Sequence, residues 1–293
     1  MNSIDLISRA KINLSIDVTG KRDDGYHIVD MIMQTIDLYD NLKINELKED
    51  LIIIKSSNTD IPLNEDNIMY KAAKLLKESF NIKKGLEIII EKNIPVAAGM
   101  AGGSSNAAAV LVGLNKLWDL NLDETKLKEL GLKLGADVPF CISGGSALAQ
   151  GIGEKLTKIK GLPKELNILI CKPNIFVSTK EVYQSLNLKK INNRPDNNKL
   201  IEALEREDVY FVSKNMANVL EEVTSLKYEE IGQIERVMVK NKALGSMMSG
   251  SGPTVFGLFD NEEWAINAKQ ELLTEYNQVY LVKSSDKGVE IYG

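Results

Sequence analysis

Histidine and cysteine are the residues that this 293-residue chain has least of. It contains one histidine, His27, and two cysteines, Cys141 and Cys171, which lie far apart in the sequence. A single imidazole excludes a metal site built on a pair of histidines, and two separated thiols cannot form a cysteine-rich zinc or iron–sulfur cage. The lack of a disulfide framework favours a reducing compartment. Any catalysis must therefore rely on lysine, aspartate, serine and backbone groups.

Long apolar runs and an excess of basic residues are also missing. The segment 107–114, among the most apolar, is far shorter than the roughly 20 residues that a membrane-spanning helix needs. The first residues lack the basic start and the apolar stretch of a signal peptide. The formal net charge is −5, which argues against a nucleic-acid partner. We therefore predict a cytoplasmic protein with no membrane or nucleic-acid partner, present as a monomer or a weak homodimer.

Length and composition indicate a globular protein with two domains. Hydrophobic residues make up 44% of the chain and charged residues 26%, which is typical of soluble folded proteins. Single cores rarely grow beyond roughly 250–300 residues, so we expect two domains. The Gly-Leu-Pro sequence at 161–163 predicts domains over 1–160 and 161–293. Runs of strands and helices along the chain predict α+β domains, and helical periodicity covers 66–80, 104–118 and 209–226, among other segments.

The first segment of the chain has the alternation of a β-strand. Apolar residues occupy the even positions from Ile4 to Val18 (position 8 aside), and polar residues occupy several odd positions between them. Side chains two residues apart lie on the same face of a strand. We therefore predict that Lys11 and Asn13 point the same way. A charged residue in mid-strand usually faces solvent, and this alternative stays open for Lys11.

A glycine-rich segment, 95–106, precedes the most convincing predicted helix, which Ser104 or Ser105 would cap. Glycine lets the backbone approach a ligand closely, and the start of a helix offers unpaired N–H groups to an anion. The pattern favours a phosphate-binding loop over a plain strand-to-helix turn. It is not the P-loop, because no Gly-Lys-Ser/Thr follows, and its glycine spacing differs from that of the dinucleotide fingerprint.

Three further segments carry residue types suited to chemistry. Asp137 lies between a glycine and a proline just after a predicted helix, a position that is equally typical of a turn. The segment 249–253, Ser-Gly-Ser-Gly-Pro, is either a flexible turn or a second backbone surface of the same site. Tyr26 and His27 follow an Asp-Gly turn signal, and together they can stack on and hydrogen-bond to a planar ring. None of these segments identifies a function alone.

Taken in order, these motifs resemble those of the GHMP small-molecule kinases. The matching segments are 9–14, 20–27, 95–106, 135–140 and 249–253. The resemblance extends from about residue 8 to residue 259, most of the chain. It implies a two-domain fold, with an N-terminal ribosomal-protein-like α+β domain and a C-terminal ferredoxin-like α+β domain. Ala97 and Ala98 stand where some relatives have glycine, which implies a stiffer loop.

The Asp-Gly-Tyr-His element is similar to that of the branch whose acceptor is a cytidine-diphosphate-linked polyol. The resemblance implies an ATP-dependent kinase that phosphorylates the 2-hydroxyl of 4-diphosphocytidyl-2-C-methyl-D-erythritol in the non-mevalonate route to isopentenyl diphosphate. Mg²⁺ would accompany ATP, with no protein ligand assigned to it. Two alternatives stay open: another GHMP kinase, of the mevalonate or homoserine type, and a non-catalytic nucleotide-binding pseudokinase.

The resemblance also implies roles for individual residues. Asp137 would accept the proton of the acceptor hydroxyl, and Lys11 would lower the cost of negative charge there. The expected acceptor-binding residues are Asn13, Tyr26, His27 and Tyr183. For Tyr183 a core position on an amphipathic helix is an equally good interpretation. The expected ATP-binding residues are Asn67, near the adenine, and Pro95, Val96, Ala97, Ala98, Gly99, Met100, Ala101, Gly102, Gly103, Ser104 and Ser105.

Overall fold

The computed structural model describes residues 2–292. In chain order its elements are β1 (Ser3–Lys21), β2 (His27–Leu47), β3 (Ile52–Ser56), α1 (Ile68–Phe80), β4 (Gly85–Glu91), α2 (Gly102–Leu117), α3 (Glu124–Leu132), α4 (Val138–Ser143), β5 (Ser146–Gly151), β6 (Lys155–Ile159), β7 (Asn167–Lys172), α5 (Thr179–Ser185), α6 (Asn197–Glu205), α7 (Val209–Asn215), β8 (Ala217–Asn218), α8 (Glu221–Lys227), α9 (Glu229–Lys240), β9 (Gly245–Met248), β10 (Val255–Phe259), α10 (Glu262–Leu272), β11 (Gln278–Val282) and β12 (Val289–Tyr292). This mixture of strands and helices confirms the α+β prediction. None of the helices in this range combines the length and apolar character required to span a lipid bilayer.

Two sheets organise the fold. The first has eight strands in the order β12-β1-β2-β4-β3, with β5 also on β2, β6 on β5 and the short β8 on β1. The second has four strands in the order β11-β7-β10-β9, each antiparallel to its neighbours. In the first sheet β3 runs parallel to β4, and β8 runs parallel to β1. Strands from both halves of the chain therefore contribute to the first sheet.

The predicted domain boundary between residues 160 and 161 falls in the connection from β6 to β7. That connection leads from the first sheet to the second, as a boundary between two domains would. The division into 1–160 and 161–293 stays a proposal, because β8 and β12 return to the first sheet.

Strand β1 has the alternation that the sequence predicts, but both of its faces are covered in the middle. Ile12 and Leu14 are fully buried, as expected for the even positions. Lys11 and Asn13, on the opposite face, are only 5% and 0% exposed. The alternative that Lys11 faces solvent is therefore wrong. Tertiary contacts enclose its ammonium group.

Three apolar clusters form the core around this strand. One joins the start of β1 to helices α1 and α2 and contains Ile4 and Leu111. Another joins the middle of β1 to the second sheet through Ile12 and Phe256. The third joins the end of β1 to α9 and α10 and contains Ile234. The middle of β1 therefore lies where the two sheets meet.

Two helix predictions differ from the structure. Helix α2 begins at Gly102 rather than at residue 104, and its N-cap is Ala101, which makes no side-chain capping hydrogen bond. Capping by Ser104 or Ser105 is wrong, because both residues lie inside the first turn. The helix predicted over 209–226 is divided into α7 and α8, because residues 217–218 pair with β1 as strand β8.

Candidate active site

A cavity of about 1030 Å³ lies beside the middle of β1. The residues predicted for the site line it with two exceptions, Met100 and Ser105. Met100 packs in the core, and Ser105 Oγ donates to the Arg9 carbonyl oxygen at 2.7 Å. One cavity thus brings together most of the predicted phosphate loop (residues 95–105, the phosphate loop below), the candidate catalytic residues (Lys11 and Asp137) and an aromatic cluster (Tyr26, His27 and Tyr183).

Lys11 is held at the junction between β1 and the phosphate loop. Its Nζ donates to Asn13 Oδ1 at 2.6 Å and to the Gly99 carbonyl oxygen at 3.3 Å. Its backbone N–H donates to the Met100 carbonyl oxygen at 3.2 Å. An ammonium group has three donors, so these two side-chain bonds leave one for a ligand. The predicted same-face placement of Lys11 and Asn13 is borne out by their hydrogen bond.

The segment 249–253 packs against the phosphate loop at Gly99. Ser249 Oγ donates to the Gly99 carbonyl oxygen at 3.2 Å and accepts from the Asn13 N–H at 3.3 Å. A Cβ on Gly99 would lie 2.4 Å from the Ser249 carbonyl oxygen, and one on Gly250 would lie 2.9 Å from that of Gly99. Only glycine permits this approach. The interpretation as a second backbone surface is therefore right, and Gly250 and Ser251 line the cavity.

The phosphate loop has a conformation that its alanines do not favour. Ala97 and Ala101 have positive φ values of 51° and 55°, and Gly99 has φ 71°. The left-handed region costs a residue with a Cβ about 1–2 kcal/mol, so surrounding contacts must hold the loop. Helix α2 follows directly, and the first N–H groups of a helix have no partner inside it. These groups and the positive end of the helix dipole suit an anion.

Asp137 lies at the N-terminal end of α4, but its side chain makes no capping hydrogen bond. Its carboxylate faces the cavity and acts on two neighbours. Burial, and second the Asp137 charge, raises the pKa of Tyr183 to about 12. The same two causes raise the pKa of the Cys141 thiol well above its usual range, against an opposing effect of Lys11. The charges of both candidate catalytic residues therefore act on Cys141, which is a buried thiol.

The aromatic cluster also lines the cavity. The rings of His27 and Tyr183 have centroids 5.0 Å apart, tilted by 37°. Tyr26 is 58% exposed, which leaves its ring free to stack on a ligand. Tyr183 both lines the cavity and packs against the core, so its core packing is observed and its contact with the acceptor stays a prediction.

Burial, and second the positive charge of Lys21, lowers the pKa of His27 from its ordinary value of 6.5. Because His27 is the only histidine, its ring protons give a unique signal in an NMR titration. We expect a midpoint below 6.5, and Lys21→Met should move it upward by removing the neighbouring charge. Lys43→Met, which changes an exposed lysine of β2, should leave it in place. A midpoint that does not respond to Lys21→Met would contradict this arrangement.

Asn67 has a structural role that its predicted contact with adenine did not anticipate. It is the N-cap of α1, where its Oδ1 accepts from the Met69 N–H at 2.9 Å and its Nδ2 donates to the Pro62 carbonyl oxygen at 2.6 Å. The helix predicted over 66–80 thus begins just after this cap, at Ile68. Asn67 also lines the cavity, and its contact with adenine stays a prediction.

Sequence reasoning missed several cavity residues. Lys21, Lys92, Thr179 and Lys180 also line the cavity, and Thr179 Oγ1 lies 2.8 Å from Ser251 Oγ. The spacing of Lys180 and Tyr183, three residues apart on a helix, is the one sequence signal that places them on a common face. Nothing local distinguishes Lys92 from the many surface lysines of the chain.

Models of a known kinase family match both halves of the chain. The model for the GHMP kinases N terminal domain matches residues 67–145, and the model for the GHMP kinases C terminal matches residues 200–278. Together they cover more than half of the sequence. The chain belongs to the GHMP kinase family. Membership of this family implies ATP as the phosphoryl donor.

Relatives of this GHMP kinase have a more specific name. The chain is 71% identical over 293 residues (100% of this chain, 99% of the relative) to the 4-diphosphocytidyl-2-C-methyl-D-erythritol kinase of Clostridioides difficile (strain 630). A crystal structure of 4-(cytidine 5'-diphospho)-2C-methyl-D-erythritol kinase matches with TM-score 0.82 and 29% identity, covering 96% of this chain and 99% of that chain. Homoserine kinase from Cytophaga hutchinsonii matches with TM-score 0.81 and 20% identity, covering 100% and 98%. That last likeness shows the fold alone, so the fold does not select the acceptor.

Proposed function

We propose that this GHMP kinase transfers the γ-phosphoryl group of ATP to the 2-hydroxyl of 4-diphosphocytidyl-2-C-methyl-D-erythritol, in the non-mevalonate route to isopentenyl diphosphate. The proposal depends on one observation, the single cavity that joins the phosphate loop, the candidate catalytic residues and the aromatic cluster. A nucleoside-linked acceptor needs a place for its base, and the aromatic cluster supplies one. The names of the relatives support the same acceptor.

The proposed reaction needs little covalent chemistry from the protein, since positioning and charge neutralisation dominate phosphoryl transfer. The acceptor oxygen forms a bond to the γ-phosphorus, the bond from that phosphorus to the β,γ-bridging oxygen breaks, and ADP leaves with the bridging oxygen. Asp137 accepts the hydroxyl proton. Lys11, held by Asn13 at 2.6 Å, neutralises negative charge beside the attacking oxygen.

The donor phosphates would lie against the phosphate loop and the first turn of α2. Mg²⁺ usually keeps several waters and takes one or two carboxylates together with substrate phosphates. The Ser104 hydroxyl lines the cavity, and its oxygen would fit such a coordination together with the phosphates and waters, which leaves Asp137 free to act as the base. When bound, the ion would neutralise phosphate charge. Lys11 and the backbone N–H groups supply the remaining positive potential.

The acceptor assignment is tested by comparing substrates. Purified enzyme with MgATP should phosphorylate the cytidine-linked polyol with a kcat/KM far above that for mevalonate or homoserine. Equal values for the nucleotide-free acceptors would favour the first alternative. ATP binding without transfer to any of the three would favour a pseudokinase.

Binding of the acceptor's cytosine should depend on stacking against the Tyr26 ring. Stacking of a base on an aromatic side chain contributes about 1–3 kcal/mol, so Tyr26→Ala should raise the KM of the acceptor about 5- to 150-fold. The KM of ATP should change less than twofold. Tyr210→Ala is the matched control, because Tyr210 is similarly exposed but outside the cavity lining. A larger effect on the KM of ATP than on that of the acceptor would move Tyr26 to the nucleotide site.

Three further expectations, on location, oligomeric state and partners, belong to the same proposal. We propose that the protein works in the cytoplasm, as a monomer or weak homodimer, without a nucleic-acid or membrane partner. Size-exclusion chromatography with light scattering measures the oligomeric state.

A further inference from the structure

Asp40, in β2, is a fully buried carboxylate outside the cavity lining. Its Oδ1 accepts from the N–H groups of Asn93 and Ile94 at 2.7 and 2.8 Å. Its Oδ2 accepts from Lys92 Nζ and from Asn106 Nδ2, both at 2.7 Å. A carboxylate has about four sites for accepting hydrogen bonds, so the capacity of this one is filled.

The four partners lie on both sides of the phosphate loop. Residues 92–94 come directly before Pro95, where the loop begins, and Asn106 comes directly after Ser105, where it ends. Asn106 Nδ2 also donates to Ser8 Oγ at 2.8 Å, which connects the end of the loop to β1. One carboxylate therefore joins the two ends of the loop.

Lys92 extends the connection to the first turn of α2. Its side chain is only 3% exposed, and its Nζ also donates to the Ile94 carbonyl oxygen at 2.7 Å. A Cβ on Gly102 would lie 3.1 Å from this Nζ, so the ammonium group lies against the start of the helix. Burial lowers the pKa of Lys92, and the Asp40 carboxylate acts in the opposite direction. The pair is therefore a buried ion pair whose cation also lines the cavity.

We propose that Asp40 and Lys92 are positioning residues that hold the phosphate loop in the conformation which binds the phosphates of ATP. The need for such support comes from the loop itself, because Ala97 and Ala101 occupy the left-handed region that alanine disfavours. Backbone N–H groups stabilise an anion well only when they are fixed in advance. The inference rests on the proposed function only in taking residues 95–105 as the phosphate site.

The test measures phosphate recognition separately from adenosine recognition. Asp40→Asn keeps the shape of the side chain but removes its charge and one acceptor. We expect its affinity for ADP to fall at least tenfold in calorimetric titration, whereas its affinity for adenosine, measured by competition, changes less than twofold. In steady state the KM of ATP should rise and that of the acceptor should not. The control is Glu46→Gln. Glu46 lies on β2, as Asp40 does, and its exposed ion pair with Lys84 is lost in this variant, which should leave both affinities unchanged.

A second variant, Asn106→Ala, tests the same proposal if Asp40→Asn does not fold. Asn106→Ala leaves the ion pair intact and removes the hydrogen bonds from Asn106 Nδ2 to Asp40 and to Ser8 at the end of the loop, so it should lower ADP affinity less but in the same selective way. Unchanged ADP affinity in the folded Asp40→Asn protein, or in Asn106→Ala if the former is unfolded, overturns the proposal. An equal loss of ADP and adenosine affinity also overturns it, since that indicates a general structural role. No acceptor is present in these titrations, so an error in the acceptor assignment leaves the result interpretable.

Discussion

Asp137→Asn should lower kcat by about 10²–10⁴-fold, the range typical of a lost general base, while ATP affinity changes little. Asparagine has the shape of aspartate but cannot take the hydroxyl proton. The fold should tolerate the change, because the Asp137 side chain makes no capping hydrogen bond in α4. Single-turnover phosphoryl transfer and calorimetric titration with an ATP analogue measure the two quantities separately.

The controls for Asp137 separate its charge from its position. Asp260→Asn, at an exposed carboxylate outside the cavity lining, should leave kcat unchanged. Asp137→Glu restores the carboxylate in a displaced position and should recover only part of the rate. A kcat within a fewfold of the parent in Asp137→Asn would remove Asp137 from the role of base. Full activity in Asp137→Glu would show that exact placement is unimportant.

Lys11→Met should lower kcat by about 10²–10³-fold, as is typical when one group that stabilises transition-state charge is removed. Methionine has a similar length and suits the enclosed position of Lys11, which is 5% exposed. The substitution leaves Asn13 Oδ1 without its donor, whereas the Gly99 carbonyl oxygen keeps its hydrogen bond from Ser249 Oγ. We therefore also expect a lower thermal midpoint, since an unpaired buried acceptor costs about 1–3 kcal/mol.

Arginine should not replace Lys11, because its planar guanidinium group is larger and cannot occupy the enclosed position of an ammonium group. Lys43→Met, at an exposed lysine of β2, is the control and should leave kcat unchanged. A folded Lys11→Met enzyme with parental kcat would contradict the proposed charge neutralisation. A loss confined to the KM of ATP would place Lys11 on the donor phosphates alone.

Several features of the site could be predicted from local sequence. The alternation of β1 places Lys11 and Asn13 on one face, and their 2.6 Å hydrogen bond confirms it. The glycine-rich segment before a helix predicts an anion site, and the same segment lines the cavity beside α2. The placement of Lys11 and Asn13 could be predicted because strand alternation depends on neighbouring residues alone, and the anion site stays a prediction.

Other predictions failed where distant contacts compete with local patterns. Residues 217–218 continue a helical periodicity, but they hydrogen-bond to β1 instead, and the helix divides there. Ser104 and Ser105 have the composition of caps, but the loop turns into the helix earlier, at Ala101. In the first case the backbone follows the strand that tertiary packing brings near, and in the second Ser105 Oγ donates to the Arg9 carbonyl oxygen instead of capping the helix.

The sequence by itself determined which residue types face the same way along β1, where a glycine-rich loop precedes a helix and which family the motifs resemble. Only the tertiary structure decided that Lys11 is enclosed, that Ser249 closes on Gly99 and that Asp40 joins the ends of the loop. The reason is separation along the chain. A periodic pattern reports the face of one element, whereas burial and hydrogen bonding across β1, the loop and the 249–253 segment depend on how distant elements pack.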